Sequence, residues 1–242
     1  MAALLRDIGA AALAVGLALL AVCLVAGCDR RPGETAQAPA AEVPASPPAE
    51  AAAAAAPVVR GIPAAALRYR AELIRNARAI WGLSAPVATF GAQVHQESGW
   101  RATVKSPVGA QGMAQFMPAT ADWISKLFPE LAANEPYNPS WALRALVTYD
   151  RWLWERIEAA TPCDRMAMAL SAYNGGLGWV RRDRQRAVGL GLAPDVWWDN
   201  VETCNAGRSA ANWRENRGYP RRILRTLTPR YAAAGFGGGV CP

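Results

Sequence analysis

Val87, Phe90, Gly91 and Val94 recur at helical spacing, and the apolar stripe they form ends in a carboxylate, Glu97. Such a stripe must be buried against other elements, which commits this stretch to a core helix. Glu97 follows Phe90 by seven residues and Val94 by three, so it projects from the same face. A carboxyl in that position is either paired or has a raised pKa, because desolvation disfavours the charged form. Two readings stay open on this segment alone. Glu97 is a protonated general acid, or it is a helix-terminal Glu satisfied by an Arg or a backbone N–H. His95, the only histidine, lies roughly 200° around the helix from Glu97 and reads as structural. No zinc-type spacing, P-loop or dinucleotide fingerprint is present, and neither a metal nor a cofactor is expected.

A glycine- and glutamine-rich run follows, Gly109-Ala110-Gln111-Gly112-Met113-Ala114-Gln115-Phe116-Met117-Pro118-Ala119-Thr120. The glycines mark a loop that can take positive φ or approach a ligand closely. No Walker lysine follows, which argues against phosphate. Gln111 and Gln115 offer amide donors and acceptors suited to sugar hydroxyls and N-acetyl groups. A helix is expected from Pro118 to Phe128. Met166, Ala169, Leu170 and Tyr173 then repeat at helical spacing, with Asn174 beyond them and Gly175-Gly176 as the stop. A buried acid, a backbone-lined wall and a polar rim together suit the cutting of a sugar chain.

With Glu215-Asn216-Arg217-Gly218-Tyr219 these segments make four ordered motifs across roughly Pro86 to Leu227. In order and spacing they closely resemble the soluble-lytic-transglycosylase family of peptidoglycan-cleaving enzymes. The resemblance implies a mainly α, lysozyme-like domain with a glycan-binding groove. Glu97 matches the family's single catalytic acid/base, and Ser98 belongs to its motif. Gly112, Met113 and Gln115 match the loop lining the groove, and Gln111 joins them as a substrate-binding candidate. Tyr173 and Asn174 match the motif that contacts the muramoyl sugar. Glu215 and Tyr219 match a late motif around the acid, with Tyr219 near it. Ala110 and Ala114 stand where larger apolar residues are frequent, and Asn216 replaces the usual threonine.

The carboxylates bear on the reaction type. Ordinary glycosidases need a second one across the scissile bond. The resemblance implies that Glu97 alone suffices, assisted by the substrate's N-acetyl group, with a 1,6-anhydro product. Asp122, Asp150 or Glu202 acting as a base for water would instead give a goose-type lysozyme, and a phage endolysin would share the bond. A catalytically dead peptidoglycan-binding or assembly protein is the non-enzyme alternative.

Residues 1–28 read as a lipoprotein-type signal or a membrane anchor. The uncharged stretch from Ile8 to Ala26 is about bilayer length, and Leu24-Val25-Ala26-Gly27-Cys28 resembles a lipobox with Cys28 as the lipidation candidate. Residues 29–60, rich in Ala and Pro, read as a linker, and 61–242 as the catalytic domain. This order places the enzyme in the bacterial cell envelope, tethered through its N-terminus with the catalytic domain in the periplasm. Residues 1–59 hold 3 of the 26 Lys/Arg and 5 of the 19 Asp/Glu, leaving 23 against 14 beyond them. A basic domain seeks an anionic partner. Peptidoglycan glycan strands with their carboxylates fit; no nucleic-acid motif accompanies Arg181-Arg182 or Arg221-Arg222, and no nucleic acid is expected. All ten Trp lie after residue 60, and Trp100, Trp179, Trp197 and Trp198 are nearest the loop segments as sugar-stacking candidates. Of the cysteines outside the N-terminal segment, Cys163 and Cys204 are the favoured disulfide, with Cys241 in a glycine-rich tail.

Overall fold

The computed structural model describes residues 61–241. The signal or anchor at 1–28, the lipidation candidate Cys28 and the linker at 29–60 lie outside the described residues. Eight α-helices are formed among the described residues: α1 (Ala64–Trp81), α2 (Val87–Ser98), α3 (Pro118–Leu127), α4 (Pro139–Glu155), α5 (Pro162–Gly175), α6 (Leu177–Gly189), α7 (Ala210–Arg221) and α8 (Thr228–Ala233). A wider π-helical stretch, Arg222–Leu227, joins α7 to α8. The only β-type pairing among these residues is a pair of isolated bridges, Lys105 with Gln111 and Gln111 with Phe116.

The expected stripe is more than a stripe. Every residue from Val87 to Val94 is buried, because α2 threads the middle of the domain between α1, α8 and the π-helical stretch. Gly91 makes that passage possible, since a Cβ there would lie 2.7 Å from the Tyr231 ring. Helix starts follow local chemistry. Asn138 caps α4 and Thr161 caps α5 through side-chain oxygens, each with Pro at the first helical position. The indole of Trp81 donates to the Val147 carbonyl at 2.8 Å and ties α1 to α4. His95 is structural: it meets the Tyr231 hydroxyl at 3.1 Å. Burial, then Arg222 and Arg230, hold its pKa below the usual value, which leaves the ring neutral at pH 7.

The disulfide expectation is corrected. Cys163 pairs with Cys241, not with Cys204, which is free and buried. The tail is not the loose segment its glycines suggested. Phe236 is buried, the Gly238 carbonyl accepts from Ala88 N at 3.1 Å, and the chain thereby returns to the start of α5. Cys204 instead follows the short 3-10 turn Val201–Thr203, where its carbonyl accepts from Trp213 and Arg217.

Candidate active site

Glu97 occupies the last turn of α2, which Gly99 ends in a left-handed conformation at φ 60°. Ser98, buried, turns its hydroxyl back to the Val94 carbonyl, while Arg101 Nε donates to the Ser98 carbonyl at 2.8 Å. The helix therefore delivers the Glu97 side chain into a cleft of about 270 Å³. No ion pair to Glu97 forms among the described residues. Its partner is the buried Tyr219, whose hydroxyl donates to Glu97 Oε1.

Burial is the largest influence on Glu97 and raises its pKa from 4.5 to about 8. The Tyr219 hydrogen bond opposes that rise, and the negative charge of Glu215 adds to it. Glu97 thus keeps its proton at neutral pH and can also lose it within reach, which suits a group that must act as acid and then as base. Burial next to Glu97 pushes Tyr219 well above its ordinary range, so the phenol stays a donor.

Five of the residues singled out in the sequence line this cleft: Glu97, Gln115, Tyr173, Asn174 and Glu215. Tyr173 donates to the Ala114 carbonyl at 2.8 Å and pins the glycine-rich loop to the end of α5. Asn174 Oδ1 accepts from Asn216 Nδ2 at 2.9 Å, and Asn216 also bonds Ser171, which fastens α7 to α5. Behind Asn216, buried Asp183 holds both Arg208 and Arg217 across α6 and α7. This network sets the register of α7, and hence where Glu215 and Tyr219 stand.

The remaining predicted residues sit behind the wall. Gly112, at φ 71°, passes so close to the Pro136 carbonyl oxygen that a Cβ would lie 1.7 Å from it. No other residue fits there. Met113 is wholly in the core. Gln111 forms the hairpin of the loop, exchanging backbone hydrogen bonds with Phe116 at 2.9 and 3.1 Å. Gln115 spends its amide N–H groups on the Gly112 and Val104 carbonyls while its residue faces the cleft.

Sequence reasoning missed Tyr149 and Ser106 in the wall. Tyr149 looks like one more aromatic on an amphipathic helix, and only its packing against Phe116 and Tyr173 brings it to the site. The tryptophan expectation is corrected in large part. Trp100 and Trp197 are buried, and Trp198 packs against Arg225 and Arg221. Trp179 alone of the four reaches the groove, in a second hollow of about 450 Å³ that shares Val108, Asn174 and Glu215 with the first.

None of the three other carboxylates weighed as a base faces the cleft. Asp122 accepts from Asn134, Glu202 is paired with Arg221, and Asp150 is enclosed, accepting from Gln93 at 3.3 Å.

A mainly α domain with a partly buried acid at a helix end and a long groove beside it has the lysozyme-like architecture. Residues 73–191 match the model of the Transglycosylase SLT domain, so this stretch of the chain carries an SLT-type domain. Glu97, the glycine-rich loop, Tyr173 and Asn174 fall inside the matched residues, and Glu215 and Tyr219 beyond them. The chain is similar to the membrane-bound lytic murein transglycosylase F of Actinobacillus succinogenes, 32% identical over 118 residues, 48% of this chain and 22% of that one. The protein of the same description from Hahella chejuensis is 35% identical over 106 residues, 43% and 19% of the two chains. The chain thus spans about a fifth of the length of these curated relatives. Among solved structures, an inactive mutant of lytic transglycosylase Slt from Pseudomonas aeruginosa shares the fold, with a TM-score of 0.50 and 22% identity. That match covers 72% of this chain and 25% of the other.

Proposed function

We propose that this protein is a peptidoglycan lytic transglycosylase that cleaves the β-1,4 bond between N-acetylmuramic acid and N-acetylglucosamine, leaving 1,6-anhydro ends. The observation that carries the reading is Glu97, desolvated at the cleft, partnered by a phenol and not by a cation. The protonated carboxyl donates to the glycosidic oxygen as the bond to C1 breaks. The substrate's N-acetyl oxygen supports the positive charge developing at C1. Glu97, now a carboxylate held by Tyr219, takes the proton from the muramoyl 6-hydroxyl, whose oxygen closes on C1. The proton count returns to its start and no water is consumed. Asn174, Tyr173, Gln115 and Glu215 hold the sugars beside Glu97, while Ser98, Gln111, Gly112 and Met113 fix the wall from behind.

One observation favours a hydrolytic second reading. Glu215 also lines the cleft, and its carboxylate could activate water in the manner of a goose-type lysozyme. Mass spectrometry of muropeptides released from purified sacculi decides between them. Ends lighter by one water, absent with Glu97→Gln, are expected; ordinary reducing ends would establish the hydrolase.

We also place the protein in the cell envelope with its catalytic domain in the periplasm, tethered through the N-terminus. Support comes from the lipobox-like Leu24–Cys28 run, from the basic balance of the domain, and from relatives described as membrane-bound. Among the described residues no helix is long and apolar enough to cross a membrane. Protease accessibility in spheroplasts tests the placement: digestion without lysis is expected, and protection would contradict it.

A further inference from the structure

The Glu97 cleft continues at one end into a more open hollow of about 310 Å³, lined by Ala119, Thr120, Trp123, Tyr149, Trp152 and Leu177. Thr120 and Tyr149 belong to both, so the two spaces are one groove. The hollow is built from aromatic rings. Trp123 of α3 meets Trp152 of α4 edge-on at 4.9 Å and Tyr149 at 5.9 Å. Arg156 covers one face of Trp152, its guanidinium carbon 3.8 Å from the ring centre. Trp123 has no such cover and is 39% exposed, among the few large apolar side chains left open to solvent. A lone exposed indole needs no explanation, but one that floors the end of a ligand cleft does. A pyranose has the chemistry to cover it: its C–H face packs on an aromatic ring while its hydroxyls stay in water. A hollow this size stands at the small end of ligand sites, which fits one sugar unit and not a docked helix.

We propose that Trp123, braced by Tyr149 and Trp152, is a further sugar subsite that holds an N-acetylhexosamine of the same glycan strand beyond those at Glu97. The inference rests on the glycan reading given above and deepens it. The strand enters over the indole, passes Tyr149 and Thr120, and reaches the acid, so the subsite grips long strands and leaves short fragments untouched.

The test uses the Glu97→Gln protein, which binds without cutting, titrated with N-acetylglucosamine oligomers from dimer to hexamer. Tryptophan fluorescence and calorimetry are the readouts. Adding Trp123→Ala should weaken the longest oligomers roughly three- to tenfold, the worth of one aromatic contact, and leave the dimer unchanged. Trp123→Phe should restore most of the loss, and both variants should melt as the parent does. Equal weakening at every length would make Trp123 a purely structural residue, and unchanged binding at every length would empty the subsite; either overturns the proposal. Length-dependent binding indifferent to Trp123 removes this subsite alone. No binding of any oligomer, together with intact sacculi after wild-type treatment, sinks the glycan reading and the subsite with it.

Discussion

Glu97 and Asp150 make an instructive pair, for burial raises both carboxyls above their ordinary range and only one is placed to react. Glu97 ends α2 at the cleft and receives a hydrogen bond from Tyr219, which favours its ionised form. Asp150 stands one residue after Tyr149 on α4, with none of its surface exposed. Its Oδ1 accepts from Gln93, and its Oδ2 has no partner. An enclosed carboxyl with an unpartnered oxygen is stable only in the neutral form. Desolvation therefore supplies the raised pKa in both places. Access to substrate, and a donor that steadies the anion, make one of them an acid that can give its proton up and take one back.

The largest effect should come from Glu97→Gln. It removes both proton-transfer steps, so cleavage of sacculi should fall by at least about 10³-fold, measured by release of soluble muropeptides. A variant that kept a tenth of the activity would move the chemistry elsewhere. Tyr219→Phe should cost about ten- to a hundredfold, the worth of one hydrogen bond to a charged group. It should also move the alkaline limb of the pH–rate profile upward from about 8, because the interaction that lowers the Glu97 pKa is gone. A limb that moved down would contradict the account.

Stability should carry the same signature. The unfolded chain ionises Glu97 from 4.5 upward, whereas the folded protein holds the proton to about 8, so wild-type stability falls as pH rises through that window. The loss is on the order of a few kcal/mol. Urea unfolding at several pH values should show Glu97→Gln losing less across the window than wild type. Asp150→Asn should sharpen the contrast. It should likewise flatten the pH dependence of stability, while cleavage stays within about threefold and the alkaline limb stays in place. A downward shift of that limb would mean that Asp150 is charged in the working enzyme. The smallest movement of that limb is expected from Glu215→Gln, a slight lowering, since this exposed carboxylate raises Glu97 through solvent; its loss as a sugar contact should show in KM instead.

What could be read from the chain alone was local. The stripe from Val87 to Val94 delivers Glu97 to a helix end, and Gly176 stops α5 just past Tyr173 and Asn174, as periodicity predicts. Gly112 was legible as a close-approach glycine, although what it approaches is the Pro136 carbonyl and not a ligand. The missed features are contacts between distant segments. Nothing near Gln93 announces Asp150, 57 residues on, and nothing near Tyr149 announces the cleft. The same blindness misled the cysteine pairing. A glycine-rich tail reads as loose, yet buried Phe236 and the bond to Ala88 hold it against α2. Tryptophans chosen for closeness to loops proved mostly core, and Trp123, on an ordinary-looking helix, stands open at the groove.

Digestion of sacculi in water enriched in oxygen-18 tests the central claim most directly, because ring closure by the 6-hydroxyl leaves no place for a solvent oxygen. New muramoyl ends should be anhydro, lighter by one water and free of the heavy isotope. Reducing ends carrying oxygen-18 would show that water attacks C1, and would hand the second half of the reaction to a base other than Glu97.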